Sequence, residues 1–293
     1  MLSFRADEFS RNSPERGAVL KKAIENIRHY LSVARLSIRL EVQRQMEYPS
    51  FLIGWFFCNP IQFFMILLTI WATVRSFGSL GGWSYEQIVF LYGIAIVSHG
   101  TSVVLFVQTW YMDSSILYGD FDRYLLRPMN VFFQFCISFF NLIGLTDLFP
   151  AVIILIYGCF QVGFAPTFWN LLQLLTVILS ATFIRGAVFL FVGSVAFYIK
   201  GRNRLSDMTL TVYQYTTMYP LSIYPRIIQV LFTFVIPLGF VSYYPASDFL
   251  NIETGLMPTS NIWLISLGVA ILTFSLAYLF FKNGMKRYES AGS

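Results

Sequence analysis

Charge is scarce in this sequence. Only 12% of its 293 residues are Asp, Glu, Lys or Arg, against about 25% in a soluble domain. That leaves too little charge for a solvated surface of ordinary size. Cysteine is sparse as well: Cys58, Cys136 and Cys159 all lie in apolar stretches. An odd number in such surroundings excludes a disulfide framework and reads as packing thiols. The two histidines, His29 and His99, have no ligand partner at metal-binding spacing. No G-x-x-x-x-G-K-[ST] run occurs, so the chain cannot cradle ATP phosphates by the usual loop. There is no H-E-x-x-H, no Ser/His/Asp set and no pair of carboxylates within one apolar segment, which leaves an enzyme reading without its chemistry. The opening MLSFRADEFSRNSPERG is polar and lacks the apolar core of a cleavable signal peptide.

What is abundant is apolar side chain. Hydrophobic residues make up 56%, aromatics 18%, and mean hydropathy is +0.63. Several windows of about 20 residues are nearly free of charge, the length a helix needs to cross hydrocarbon at ~1.5 Å per residue. The fold class is therefore all-α, a polytopic membrane protein.

Three regions follow: residues 1–50, a cytosolic N-terminus with an amphipathic helix; 51–281, a six-span domain; and 282–293, a cytosolic tail. Over Val19–Glu47 the apolar residues Leu20, Ile24, Ile27, Leu31, Ala34 and Ile38 share one helical face. Such a helix lies on a membrane surface or packs on a partner. Spans are read at Phe51–Val74, with Pro60 as a kink, Tyr85–Val107, Val131–Phe160, Phe168–Tyr198 and Ile262–Phe281. The third is long for one straight span, so its first part is expected at the interface. Between 205 and 250, prolines at 220, 225, 237 and 245 leave two readings. Either Ile227–Tyr244 is the fifth span, or Ser206–Tyr219 is its core and Ile227–Tyr244 dips back as a re-entrant hairpin. Both give six crossings.

Basic residues set the orientation. With the N-terminus inside, the inner side holds nine Lys/Arg before residue 51, then Arg123 and Arg127, Lys200, Arg202 and Arg204, and Lys282, Lys286 and Arg287. The outer side holds Arg75, joined by Arg226 in the re-entrant reading. Both termini are thus expected in the cytoplasm. The net charge of +5 serves orientation, and no nucleic-acid partner is expected.

Two details stand out. The stretch ILYGDFDRYLLRP, Ile116–Pro128, puts a compact charged element between spans two and three. Asp113 with Ser114 and Ser115 starts a helix there, and Pro128 stops it. Leu117, Phe121, Tyr124 and Leu125 share one side of that helix; Asp120, Arg123 and Arg127 share the other. The charged side is either a solvated face or a docking face. The second detail is an intramembrane pair of ionisable residues, Asp147 and Arg185, at similar depth on spans three and four. Such charges are costly and find partners. They form a packing ion pair or a polar feature on a substrate path.

The run GDFDRYLLRP resembles the G-x-[LF]-D-x-x-L-L-x-P pattern of ABC-2 type transporter permeases. YPLSIYPRIIQVLFTFVIPLGFVSYYPASDFL, Tyr219–Leu250, looks like the signature of one bacterial subfamily. The order of parts matches across nearly the whole chain. The resemblance implies the permease subunit of an ATP-driven exporter in the bacterial cytoplasmic membrane, pairing with a second permease chain as a homodimer or heterodimer. It also implies two copies of a cytosolic ABC ATPase, which would carry ATP and Mg²⁺; this chain would bind no cofactor. The helix between spans two and three would be the coupling helix, touching the ATPase through Asp120, Phe121, Asp122, Arg123, Tyr124, Leu125 and Arg127. The re-entrant reading would be favoured, with Pro220, Pro225, Pro237, Tyr243, Tyr244 and Pro245 at an outer gate. The competing readings are a secondary carrier, which needs a repeat that is absent here, and a membrane scaffold.

Overall fold

A computed structural model describes residues 4–199, 205–258 and 260–289, without the side chains of 4–20, 22–24, 214 and 215. Lys200, Arg202 and Arg204, counted above for orientation, lie outside the described residues, as do the side chains of Leu20, Lys22 and Ile24. The described residues form helices: α1 (Phe4–Met46), α2 (Pro49–Phe77), α3 (Tyr85–Phe106), α4 (Met112–Leu117), α5 (Asp122–Leu125), α6 (Val131–Ile137) and α7 (Leu142–Gln161). They continue with α8 (Phe168–Ser194), α9 (Ala196–Ile199), α10 (Leu205–Met218), α11 (Arg226–Val230), α12 (Tyr243–Phe249) and α13 (Ile262–Met285).

Five stretches among the described residues are long and apolar enough to span a membrane: Pro49–Phe77, Tyr85–Leu117, Leu142–Gln161, Phe168–Ile199 and Ile262–Met285. The expected sixth crossing has no helix of that kind. α10 has 14 residues, or ~21 Å at 1.5 Å per residue against a ~30 Å hydrocarbon core. After it the chain breaks at three of its four prolines, the fourth, Pro245, lying in the first turn of α12. Pro220 precedes a 3₁₀ turn, Pro225 opens α11, a π turn covers Leu231–Val235, and Pro237 precedes a second 3₁₀ turn. Proline has no N–H to donate and clashes with the preceding turn, so four of them in 26 residues prevent one long helix.

α3 is the axis of the bundle. Its apolar window is 78% buried, against 11% for α2. Polar side chains punctuate the starts. Ser84 accepts from Gln87 N while Gln87 Oε1 accepts from Ser84 N, a reciprocal cap on α3. Thr167 caps α8 and Asn141 caps α7. The segment Val131–Phe160 divides at residues 138–141, so α6 is separate from the span α7.

The helices meet through glycine. A Cβ on Gly158 of α7 would stand 2.8 Å from Phe90 Cα, and one on Gly93 of α3 would stand 2.7 Å from Leu155 Cα. Each contact is with backbone, so the two helices approach as closely as they do only because those side chains are missing.

α1 is one helix of 43 residues, starting well before Val19. Ala34 and Ile38 of the expected apolar face are half-buried, whereas Ile27 and Leu31 are exposed. It is tied down by polar contacts. Gln45 Nε2 donates to Phe140 O (2.6 Å) and Leu142 N donates to Gln45 Oε1 (3.0 Å), so α1 also caps α7. Asn130 N donates to Tyr30 Oη (3.1 Å).

Candidate functional site

Near the middle of the bundle lies a half-open cavity of about 380 Å³. α2 contributes Asn59 and Gln62, α3 contributes Tyr92 and His99, and the 3₁₀ turn Val107–Tyr111 contributes Trp110. Asp147 comes from α7, Arg185 from α8 and Thr217 from α10. The rest of the wall is mostly apolar, with Trp55, Phe63, Ile66 and Ile96 among its residues, plus Asn141 and Tyr111.

The two ionisable residues singled out in the sequence line this cavity, but they are not an ion pair. No N···O approach within 4.0 Å joins them. Asp147 Oδ1 accepts from Asn59 Nδ2, which also donates to Thr146 Oγ1 (3.0 Å). Its Oδ2 stands 3.9 Å from His99 Nε2. Arg185 lies over the Tyr213 ring, its guanidinium carbon 4.1 Å from the centroid. The expectation failed for a geometric reason. Counting along the two helices fixed depth, but consecutive helices need not be neighbours. α3 packs against both α7 and α8 and stands between them. Arg185 Nε, Tyr92 Oη and Trp110 Nε1 are buried without a hydrogen-bond partner. His99 Nδ1 is a fourth such group on the cavity wall, and a buried polar group without a partner costs about 1–3 kcal/mol.

The element between α3 and α6 differs from the single helix expected. Gly119 takes φ 78°, a left-handed turn that separates α4 from α5. The break reverses part of the expected sidedness. Phe121 and Tyr124 are buried, while Leu117 and Leu125 are exposed. Phe121 sits among Phe135 (5.8 Å), Phe197 (5.2 Å), Phe281 (6.2 Å) and Tyr288 (5.4 Å), measured between ring centres. Arg123 Nη2 donates to Tyr124 Oη (2.9 Å), which donates to Ser138 Oγ (2.8 Å). Burial and the nearby Asp122 carboxylate raise the pKa of the Tyr288 hydroxyl, so the tail packs beneath this element in its neutral form. The outward surface is mixed: Asp120, Arg123 and Arg127 with Tyr118 and Leu126, the last 85% exposed.

At the other end of α3 the proline-rich segment forms a plug. Tyr243 packs on Trp83 (5.6 Å), and Tyr244 Oη and Thr233 Oγ1 share a hydrogen bond of 2.5 Å. Tyr243, Tyr244, Pro245, Pro237 and Pro220 are buried; Pro225 is exposed. Ser222 Oγ donates to Gly81 O (2.8 Å), joining the plug to the turn before α3.

A family model described as "ABC-2 family transporter protein" matches residues 60–292. The chain belongs to the ABC-2 family of transporter proteins. It is the membrane-spanning, permease part of a transporter and a multi-pass membrane protein. No curated protein and no solved structure gives a significant match.

In this permease the sequence reading located Asp147 and Arg185 but missed Asn59, Tyr92, His99 and Trp110. Asn59 had a signal: an amide three residues, just under one helical turn, before Gln62 within an apolar span, next to Pro60. Tyr92 and Trp110 had none, because an aromatic in a span reads first as packing or interface belt.

Proposed function

We propose that this chain is the permease subunit of an ATP-driven exporter in a bacterial cytoplasmic membrane, with both termini inside. Two permease chains, alike or different, form the path, and each docks one cytosolic ABC ATPase. ATP and Mg²⁺ belong to that ATPase, and this chain performs no catalysis. α10 with the proline-rich segment serves as the fifth crossing and a re-entrant hairpin. Membrane proteins of this family generally partner with ATPase subunits.

The observation that carries the reading is the α4–α5 knob. It presents Tyr118, Leu126, Asp120, Arg123 and Arg127 outward from a mount in which Phe121 is completely buried among aromatic rings. A solvated loop has no need of such a mount. A lever that must pass force from an ATPase to the spans does, because packed aromatic cores move as rigid units. α3 leads from the plug past the cavity, and the 3₁₀ turn Val107–Tyr111, which carries Trp110, joins it to α4. A push on the knob therefore reaches His99 and Trp110 directly. The plug closes the outer end, and the cavity belongs to the inner half.

The test is mild detergent extraction and mass spectrometry of what accompanies the chain. A Walker-motif ATPase in roughly equal amount is expected, lost when Arg123→Glu and Leu126→Glu are combined while the permease still inserts. Undiminished ATPase with that double variant would remove the docking role. A chain that purifies alone would return the reading to a carrier or scaffold.

A further inference from the structure

The cavity described above is lined by hydrogen-bond donors that nothing in the chain satisfies. Arg185 is only 4% exposed, and its Nε has no partner. No side chain or carbonyl accepts from its guanidinium among the described residues; its guanidinium carbon lies 4.1 Å from the centre of the Tyr213 ring. Trp110 Nε1 can only donate, and it too is buried and unpartnered, as is Tyr92 Oη. All three residues line the same space of about 380 Å³. Arginine is always charged and offers a fork of five donors. His99 Nδ1 is a fourth unpartnered group on the same wall, and a site whose free groups are a guanidinium, an indole N–H, a phenol and an imidazole nitrogen is complementary to a compact, acceptor-rich anion.

The one carboxylate at the site is already engaged. Asp147 is held by Asn59 and faces His99; it attracts Arg185 at longer range, but with no N···O contact within 4.0 Å it leaves the guanidinium donors unpaired. The wall also carries apolar residues, with Phe63 and Ile66 on α2 and Leu210 and Met218 on α10. Those two helices also expose apolar residues outside the cavity, including Phe64 and Met208. A ligand held by its charged end at Arg185 can therefore place a hydrocarbon tail against α2 and α10.

We infer that the cavity binds the anionic headgroup of a single-charged-end amphipath, a phosphate or carboxylate, with Arg185 as its charge partner and Trp110 and Tyr92 as additional donors. This rests on the permease reading and names the chemical class of its substrate.

The experiment uses the full chain in an uncharged detergent and titrates dodecyl phosphate below its micelle concentration, following binding by thermophoresis. Dodecyl phosphate is expected to bind, and dodecyltrimethylammonium is not. Arg185→Gln should weaken dodecyl phosphate by about tenfold or more. Trp110→Phe, which keeps the ring and removes only the donor, should weaken it several-fold while leaving the elution profile and Tm unchanged. Equal binding of the cationic amphiphile, or unchanged affinity in both variants, would overturn the proposal. Inorganic phosphate separates the sources: failure to compete supports an amphipath, and competition at equal affinity overturns the tail while keeping the anion. Recovery of the ATPase with the Arg185→Gln protein reports on the permease reading independently of any binding result.

Discussion

Asn59 is the polar residue on α2 that the fold cannot replace with an apolar one. It is 2% exposed and gives its amide to Asp147 and Thr146 on α7. Asn59→Leu would leave the Asp147 carboxylate without its closest donor, a loss of about 1–3 kcal/mol. We expect a lower Tm in detergent, with much of the loss recovered by adding Asp147→Asn, because an uncharged amide tolerates the missing donor better than a carboxylate. The double-mutant cycle between 59 and 147 should therefore show clear coupling. The cycle between 147 and 185 should show far less, since α3 separates those helices. A larger coupling for 147 with 185 would restore the ion pair and sink the Asn59 assignment.

At the scale of elements, the α3–α7 contact depends on missing Cβ atoms. Gly158→Ala and Gly93→Ala would each press a methyl against backbone. Backbone cannot swing aside as a side chain can, so each should cost about 1–3 kcal/mol. Gly268 on α13 is the control: nothing lies within 4 Å of its Cβ position. Gly268→Ala should be neutral or add up to about 1 kcal/mol through helix propensity. Thermal unfolding of the three variants decides it, and equal destabilisation at all three would mean the glycines are not set by packing. The same scale explains the knob. A continuous α4–α5 helix would carry Leu117, Phe121 and Leu125 on one side. The left-handed residue Gly119 instead turns Phe121 inward alone and leaves the two leucines outside.

For the whole molecule, the two ends of α3 lead to different structures, a packed proline-rich plug at one and, past the 3₁₀ turn, an exposed knob at the other. The plug is latched at Gly81, which has φ +62° and would place a Cβ 2.5 Å from Ser222 Oγ. Gly81→Ala therefore meets both backbone strain and a clash at the latch. Amide hydrogen exchange over 231–249 should quicken by about tenfold for each 1.4 kcal/mol of local stability lost, while α7 and α13 keep their protection. Uniform acceleration across all helices would show instead that the plug is not an independent unit.

Hydropathy and the glycine and proline positions suffice to read an all-α membrane protein with spans at α2, α3, α7, α8 and α13, since burial in hydrocarbon is written in composition over some 20 residues. The same letters locate the element at Ile116–Pro128 and the two intramembrane charges. They do not say which helices touch. A helix of known depth still has an undetermined azimuth and undetermined neighbours, so the sequence alone pairs Asp147 with Arg185. Tertiary packing put α3 between them, gave Asp147 to Asn59 and His99, and left Arg185 over Tyr213 on the cavity wall. Likewise, one glycine at φ 78° decided which face of the knob is mounted and which is exposed. Local patterns govern where segments begin and end; side-chain direction and helix contacts, which are long-range and many-bodied, are set only when the whole chain packs.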